Sequence, residues 1–434
     1  MAVQTPRLLR VVGLAGLTAI ALNGVVGSGI FVLPARIYAL AGAASPVAYL
    51  VAAVLIALVV ACFAEAGSRS EETGGPYLYA RDAFGDFAGF LIGWMFMITR
   101  LTAGAAIANA FVAYLATIDP ALATGAGRFC AITLAIGALA AVNVYGVRQA
   151  SSTVNLLTIA KLVPLAIFVA VGLFFVDTSR VALFSLPQAG SLRQAALLLV
   201  FAYGGFENAN VPTEEALDPR RHLPIALLTT IAAVAVLYVL IQVVAQGTLP
   251  ELATSATPLA SAARNTMGAP GGWLLTGAAL LSTLGSISAL ALVGPRILFA
   301  FARAGRLPAA LAEIHPRHRS PHWAVIAFAV LTWGTALVGG FAELAAVAAV
   351  SRLVFSASTC LAVPVLRRRK REVPPRFRLP GGPLIPLLAV ALSLWLLSGL
   401  TRAQAIAGGV GLASGLVVYA ASRWLGSTSA YRRR

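Results

Sequence analysis

Long apolar runs set the terms for this chain. Twelve of them, at roughly 11–40, 44–66, 86–116, 128–145, 150–176, 191–212, 223–246, 272–300, 322–340, 343–366, 383–400 and 403–422, carry few or no charged side chains. About 20 apolar residues is what a helix needs to cross the hydrocarbon of a bilayer. Inside that hydrocarbon every backbone N–H and C=O has to be paired within the chain, so a run of this length reads as a helix. The expected fold class is therefore all-α and polytopic, with about twelve transmembrane helices. The loops between the runs are short, which predicts one transmembrane domain over 1–434. Composition points the same way: 59% of the residues are hydrophobic and 11% charged, with a mean hydropathy of +0.87. A soluble domain carries about 25% charged residues.

The formal charge of +17 is distributed by side rather than by patch. With the N-terminus placed in the cytoplasm, 22 of the 32 Lys and Arg residues fall on cytoplasmic segments. Six fall outside (Arg36, Arg128, Arg180, Arg193, Arg264 and Arg402), and four lie in mid-span (Arg100, Lys161, Arg296 and Arg352). This asymmetry follows the positive-inside rule and predicts a multi-pass protein of the plasma (inner) membrane with both termini cytoplasmic. The run RRRKR at 367–371 reads as a topology signal that can touch anionic lipid, in preference to a nucleic-acid arm. Cys62, Cys130 and Cys360 sit in or beside apolar runs and give no disulfide framework. The first run is too long for a cleavable leader and lacks a small-residue cleavage site. The only lysines, Lys161 and Lys370, do not follow a P-loop pattern, and no HExxH, GxSxG or zinc cysteine pair occurs. His315 and His318 read as residues of a solvated loop. No enzyme activity, cofactor or metal is expected.

Two of the runs weaken their own backbone. NGVVGSGIFVLPA, from Asn23, places Gly24, Gly27 and Gly29 mid-run; LLLVFAYGGFENANVPTEEALDPRRHLP, from Leu197, places Gly204 and Gly205 there, and a proline follows each (Pro34, Pro212). Glycines in membrane helices can simply let neighbours pack closely. Interrupted helices at corresponding places, here runs one and six, are also the sequence sign of an inverted-repeat secondary transporter. A break at mid-membrane frees backbone groups, which is tolerated where they line a cavity. The N–H groups of Gly27, Ser28 and Gly29 would open a second half-helix whose positive dipole end suits a carboxylate. The carbonyls from Phe201 to Gly204 would suit an ammonium, so that together the breaks address the two ends of an amino acid.

Four stretches in this order resemble the amino acid–polyamine–organocation superfamily: GVVGSGIFVLPA, AEAGSRSEETGGPYLYARDAFG (64–85), FAYGGFENANVPTEEALDPRRHLP and GPRILFAFARAGRLP (294–308). The resemblance implies a LeuT-type 5+5 inverted repeat with broken helices 1 and 6. Repeat one would cover about 11–176, repeat two about 191–366, and two extra helices about 383–422. It implies alternating access to a central amino acid site. By position, substrate contacts fall over Val25, Gly27, Ser28 and Gly29 on the first helix and Phe201, Ala202, Tyr203 and Gly204 on the sixth. The carboxylate would meet Val25, Ser28 and Gly29; the amine would meet the carbonyls of Phe201, Ala202 and Gly204; and Phe201 would be an aromatic gate.

Four ionisable residues in or at the ends of the spans add to this. Lys161, far from either end of its run, is expensive to bury as a cation; it resembles the lysine that takes the place of a sodium ion in proton-coupled relatives, which makes protons a coupling partner. Glu207, just past the sixth-run break, either holds the unwound segment through backbone donors or titrates during the cycle. Arg100, in mid-span, needs a carboxylate, carbonyls or a wet cavity, with Glu207 the nearest partner by topology. It disfavours cationic ligands, so neutral or acidic amino acids are the expected substrates. Glu65 reads as a structural or gating carboxylate. The expected function is secondary active transport by proton-coupled symport or exchange. A polyamine or cationic amino acid antiporter, and an amino acid sensor that does not transport, stand as alternatives.

Overall fold

The computed structural model describes residues 12–69, 74–145, 147–183, 185–211, 216–318, 320–370, 372 and 375–431, with only the backbone described for 145, 147–157 and 425–431. Pro212, Arg371 and part of the 64–85 signature lie outside the described residues. The described chain is helical, and its sole β-type pairing is a bridge between Val12 and Ala216.

The first apolar run is divided into α1 (Leu14–Val25) and α2 (Ser28–Ala41). After α3 (Ser45–Gly67) comes α4 (Pro76–Phe84), and then α5 (Asp86–Leu115), α6 (Gly125–Tyr145) and α7 (Val147–Gly172). The second half holds α8 (Ala189–Ala202), α9 (Pro219–Thr248), α10 (Pro258–Arg303), α11 (His322–Val338), α12 (Phe341–Arg369), α13 (Leu384–Leu397) and α14 (Arg402–Tyr431). Each of the twelve apolar runs overlaps a helix or, in the first run, a pair of helices, the sixth being α-helical only to Ala202. Eight helical stretches among the described residues are long and apolar enough to cross a membrane; α1, α8, α11 and α13 are shorter apolar helices.

Two features differ from the hydropathy reading. The short helix α4, PYLYARDAF, lies in a segment too polar to register as a span. Its start uses Pro76, whose fixed φ and missing N–H suit the first helical turn. The helix α10 begins at Pro258 rather than near 272, because it is two helices joined end to end at Gly268, whose φ of 67° lies in the left-handed region. The part before the bend carries Arg264 and Asn265, which kept it below an apolar threshold.

Near the centre, α5 packs along α12 and α10, α3 lies on α9, and α7 lies on α10. Both α1 and α2 insert among these helices, with α1 against α9 and α7 and α2 against α8 and α10. The breaks that end α1 and α8 are therefore held in the interior of the bundle.

Candidate functional site

After Val25 the chain leaves helical geometry at Val26 (φ −76°, ψ 82°), and α2 restarts at Ser28 with no side-chain cap. The Gly27 N–H is not free as expected: it donates to Val25 O at 2.8 Å. The amides of the first turn of α2, beginning with Ser28 and Gly29, have no intrahelical acceptor and point out of the helix start. At the second break α8 stops at Ala202. Gly204 N–H donates to Phe201 O at 3.2 Å, Gly205 takes φ 112°, and a 3-10 turn runs over Phe206–Asn210.

The breaks meet backbone to backbone. A Cβ on Gly24 would lie 2.4 Å from Gly205 O, and one on Gly205 would lie 2.1 Å from Gly24 O. Any side chain at either position would force the two segments apart. Gly29 is also at a contact, since its Cβ would lie 2.8 Å from Ala202 Cα. Close helix packing and helix interruption, alternatives when read from the sequence, occur together here.

Side chains from three other helices take up the carbonyls freed at the end of α1. Lys161 Nζ, from α7, donates to Asn23 O at 2.9 Å and to Val26 O. Ser282 Oγ, from α10, donates to Val26 O at 3.2 Å. Tyr238, from α9, places its hydroxyl 2.9 Å from Val25 O and 3.4 Å from Ala202 O, so it bridges the two breaks. An ammonium that replaces lost backbone partners in this way meets the requirement for burying a charge inside a membrane.

On the opposite side of the breaks lies a cluster of ionised groups. Glu207 Oε1 accepts from Arg100 Nη2 and, at 2.9 Å, from Arg352 Nε; Glu207 Oε2 accepts from Gly205 N–H at 2.8 Å. Arg100 Nη1 donates to Asn208 Oδ1, and its guanidinium sits 4.5 Å over the Phe96 ring. Arg352 Nη1 reaches Val200 O at 3.3 Å. None of these three ionised side chains is more than 4% exposed. Glu207 thus bonds the Gly205 amide of the unwound segment and pairs with both Arg100 and Arg352.

Between the breaks and these arginines is a small cavity of about 30 Å³, with room for a water or two. Of the residues expected to contact substrate, Val25, Gly27, Ser28, Gly29, Phe201, Ala202 and Gly204 line it, as does Arg100. Tyr203 does not: it is fully buried, with its hydroxyl donating to Tyr49 O at 3.2 Å. Lys161 and Glu207 stand behind the lining rather than in it. The Phe201 ring meets the Phe341 ring edge-on, with centroids 5.7 Å apart. Sequence reasoning gave no role to Arg352, Asn208 and Ser286, which also line the cavity, or to Tyr238. Arg352 was visible as a mid-span charge; the other three carry no signal in a single sequence.

Residues 12–412 match the amino acid permease family. The chain is similar to the methylthioribose transporter of Bacillus subtilis (strain 168), at 26% identity over 96% of this chain and 94% of the relative. It is similar to the branched-chain amino acid permease BcaP of the same organism, at 27% identity over 95% of this chain and 92% of the relative. It also resembles the large neutral amino acids transporter small subunit 2 of Rattus norvegicus, at 29% identity over 94% of this chain and 80% of the relative.

Proposed function

Because the chain belongs to the amino acid permease family, we propose that it is a secondary active transporter that moves amino acids by alternating access at the cavity between the two broken helices. The observation that carries this reading is the contact of Gly24 with Gly205 beside that cavity. Two interrupted helices that touch at their breaks expose an amide-rich helix start, while other side chains cap the freed carbonyls. That is the arrangement an amino acid's carboxylate requires. The carboxylate is assigned to the Ser28 and Gly29 amides, with Val25 alongside. The amine is assigned to the carbonyl side of the α8 break. There the Phe201 carbonyl already accepts from Gly204 N–H and the Ala202 carbonyl faces Tyr238, so Gly204 is the preferred partner.

In the proposed fold the chain forms a 5+5 inverted repeat in twelve spans, with two further helices and both termini in the cytoplasm. Lys161 gives the coupling its basis. It bonds the carbonyls at the end of α1, so loss of its proton would loosen the break that binds substrate. Coupling to protons, by symport or by proton-linked exchange, follows without sodium. The relatives named for branched-chain and large neutral amino acids support neutral substrates, and the arginines at the cavity extend the range to acidic ones while opposing cationic ligands.

The test is uptake of labelled amino acids into proteoliposomes, with and without an imposed pH gradient and with potassium replacing sodium. Accumulation or exchange that responds to the pH gradient and ignores sodium is expected. Saturable binding with neither accumulation nor exchange would leave a sensor. Strong inhibition by arginine or putrescine alone would bring back the cationic reading.

A further inference from the structure

Two guanidiniums, Arg100 from α5 and Arg352 from α12, line the same cavity, and among the described residues one carboxylate, Glu207, pairs with both. A guanidinium is a cationic side chain. The cavity wall therefore carries one more positive than negative charge, whatever the state of Lys161 behind the α1 break. An unbalanced charge in a membrane interior is costly, and such charges face bundle interiors or cavities where a partner can reach them. A zwitterionic ligand adds no net charge and leaves the excess in place. A ligand of net charge −1 cancels it.

A second observation points to a ligand at this wall. Arg100 Nε, Ser28 Oγ and Ser286 Oγ are buried and without a hydrogen-bond partner. Ser28 and Ser286 are at most 3% exposed, and both line the cavity. A buried donor left unsatisfied is costly. Three around one cavity mark a place where acceptor atoms are supplied from outside the chain. The donors also fall into two groups. Ser28, the first-turn amides of α2 and Ser286 lie at the α1 break, where a Cβ on Gly27 would come 3.0 Å from Ser286 Oγ. The arginines and Asn208 lie at the α8 break. The remaining wall, with Ala103, Ile107 and Leu290, is apolar.

We infer that the cavity binds an amino acid whose side chain carries a second carboxylate, with the α-carboxylate at the start of α2 and the side-chain carboxylate at Arg100 and Arg352. This rests on the transport reading above and narrows its neutral-or-acidic range to acidic. Each guanidinium keeps one nitrogen outside the bonds to Glu207, Asn208 and Val200 O, Nε of Arg100 and Nη2 of Arg352, and a carboxylate can accept a charge-assisted hydrogen bond from each. Arg352 is already fixed in place: a Cβ on Gly204 would lie 2.0 Å from its Cζ, so the guanidinium rests directly on the glycine backbone. It reaches the cavity without having to be reoriented.

The experiment uses the full chain in proteoliposomes preloaded with an amino acid mixture. Exchange uptake of labelled glutamate, leucine and arginine is measured, with unlabelled glutamate, aspartate, alanine and glutarate as competitors. Labelled glutamate is expected to exchange, with inhibition by glutamate and aspartate and little by alanine. Glutarate, which has both carboxylates and no amine, should compete weakly. Leucine exchange that excess glutamate does not inhibit overturns the inference and leaves amino acid transport standing. Glutarate competing as well as glutamate overturns the amino acid part in favour of a dicarboxylate. No exchange of any amino acid would overturn the transport reading and this inference together. In Arg352→Gln the ratio of glutamate to leucine kcat/KM should fall by roughly tenfold or more, the scale of one charge-assisted hydrogen bond. Arg352→Lys should recover part of that loss. An unchanged ratio in Arg352→Gln also overturns the inference, and the wild-type competition decides the matter if the variants do not fold.

Discussion

A Cβ on Gly204 would lie 2.0 Å from Arg352 Cζ, so Gly204→Ala has to displace a buried guanidinium from Glu207 and Val200 O. Breaking a buried ion pair on one side costs about 3–5 kcal/mol. The expected result is a large fall in the unfolding temperature of the detergent-solubilised protein together with lost transport. A Gly204→Ala protein with wild-type thermal stability would show that Arg352 can sit elsewhere. Lys161 is the other residue whose chemistry is set by backbone. In Lys161→Gln the shorter amide keeps at most one of the bonds to Asn23 O and Val26 O, a loss of about 1 kcal/mol. The larger effect is on coupling: exchange should persist while acceleration by a pH gradient disappears. Uptake measured with and without the gradient decides this, and a wild-type gradient response would separate Lys161 from proton coupling. Residue-scale roles were unevenly legible. Arg100, Lys161 and Glu207 stood out because a charge in an apolar run demands an explanation. Tyr238 did not, because a tyrosine in an apolar run is unexceptional until its hydroxyl is seen 2.9 Å from a carbonyl 213 residues away.

The interrupted helices are elements defined by contacts as much as by their own sequence. Glycines marked where α1 and α8 end, since glycine weakens a helix by about 1 kcal/mol relative to alanine. The sequence did not tell which glycines serve a ligand and which serve packing. Gly29 packs: its Cβ would meet Ala202 Cα at 2.8 Å, backbone that cannot give way. Gly29→Ala should therefore push α2 from α8 and cost about 1–3 kcal/mol, typical of overpacking, besides lowering transport. Gly27 differs. Its Cβ would meet Ser286 Oγ at 3.0 Å, and that hydroxyl can rotate away. Gly27→Ala should fold with near-normal stability while its substrate KM rises several-fold, because the methyl and the displaced hydroxyl stand in the cavity. Thermal unfolding and uptake kinetics of the two variants together test the distinction. Equal losses of stability in both would erase it. Helix positions were readable from hydropathy because each run needs internal backbone pairing in lipid. The bend at Gly268 and the short α4 were not, because polar residues there conceal helices that neighbouring segments stabilise.

Hydrogen bonds between loops sort the ends of the helices into two faces of the molecule. On one face, Ala182 N–H donates to Ala43 O, Asp177 N–H to Gly247 O, and Gln246 Nε2 to both Ala43 O and Arg180 O. On the other, Arg367 Nε and Nη2 grip Glu65, whose Oε2 also accepts from Leu379 N–H; Ser68 Oγ donates to Phe377 O, Arg220 Nε to Ser68 O, and Leu217 N–H to Val12 O. Glu65, expected as a structural or gating carboxylate, thus ties α3 to the end of α12 and the segment after it. In the orientation proposed above, the face built around Glu65, which holds the clusters at 303–306 and 367–370, is the cytoplasmic one. The face with Asp177 and Gly247 is then outside. Orientation is testable with the chain's own cysteines as a guide, since Cys62 and Cys360 are buried and Cys130 is exposed. In a Cys130→Ser background, Ala253→Cys adds an exposed thiol to the loop between α9 and α10, and Arg317→Cys adds one to the loop between α10 and α11. A membrane-impermeant maleimide applied to intact cells should label the first and reach the second only after permeabilisation. The reverse pattern would invert the molecule in the membrane. The Glu65 cluster would then face outward, against the positive-inside bias of the basic loops.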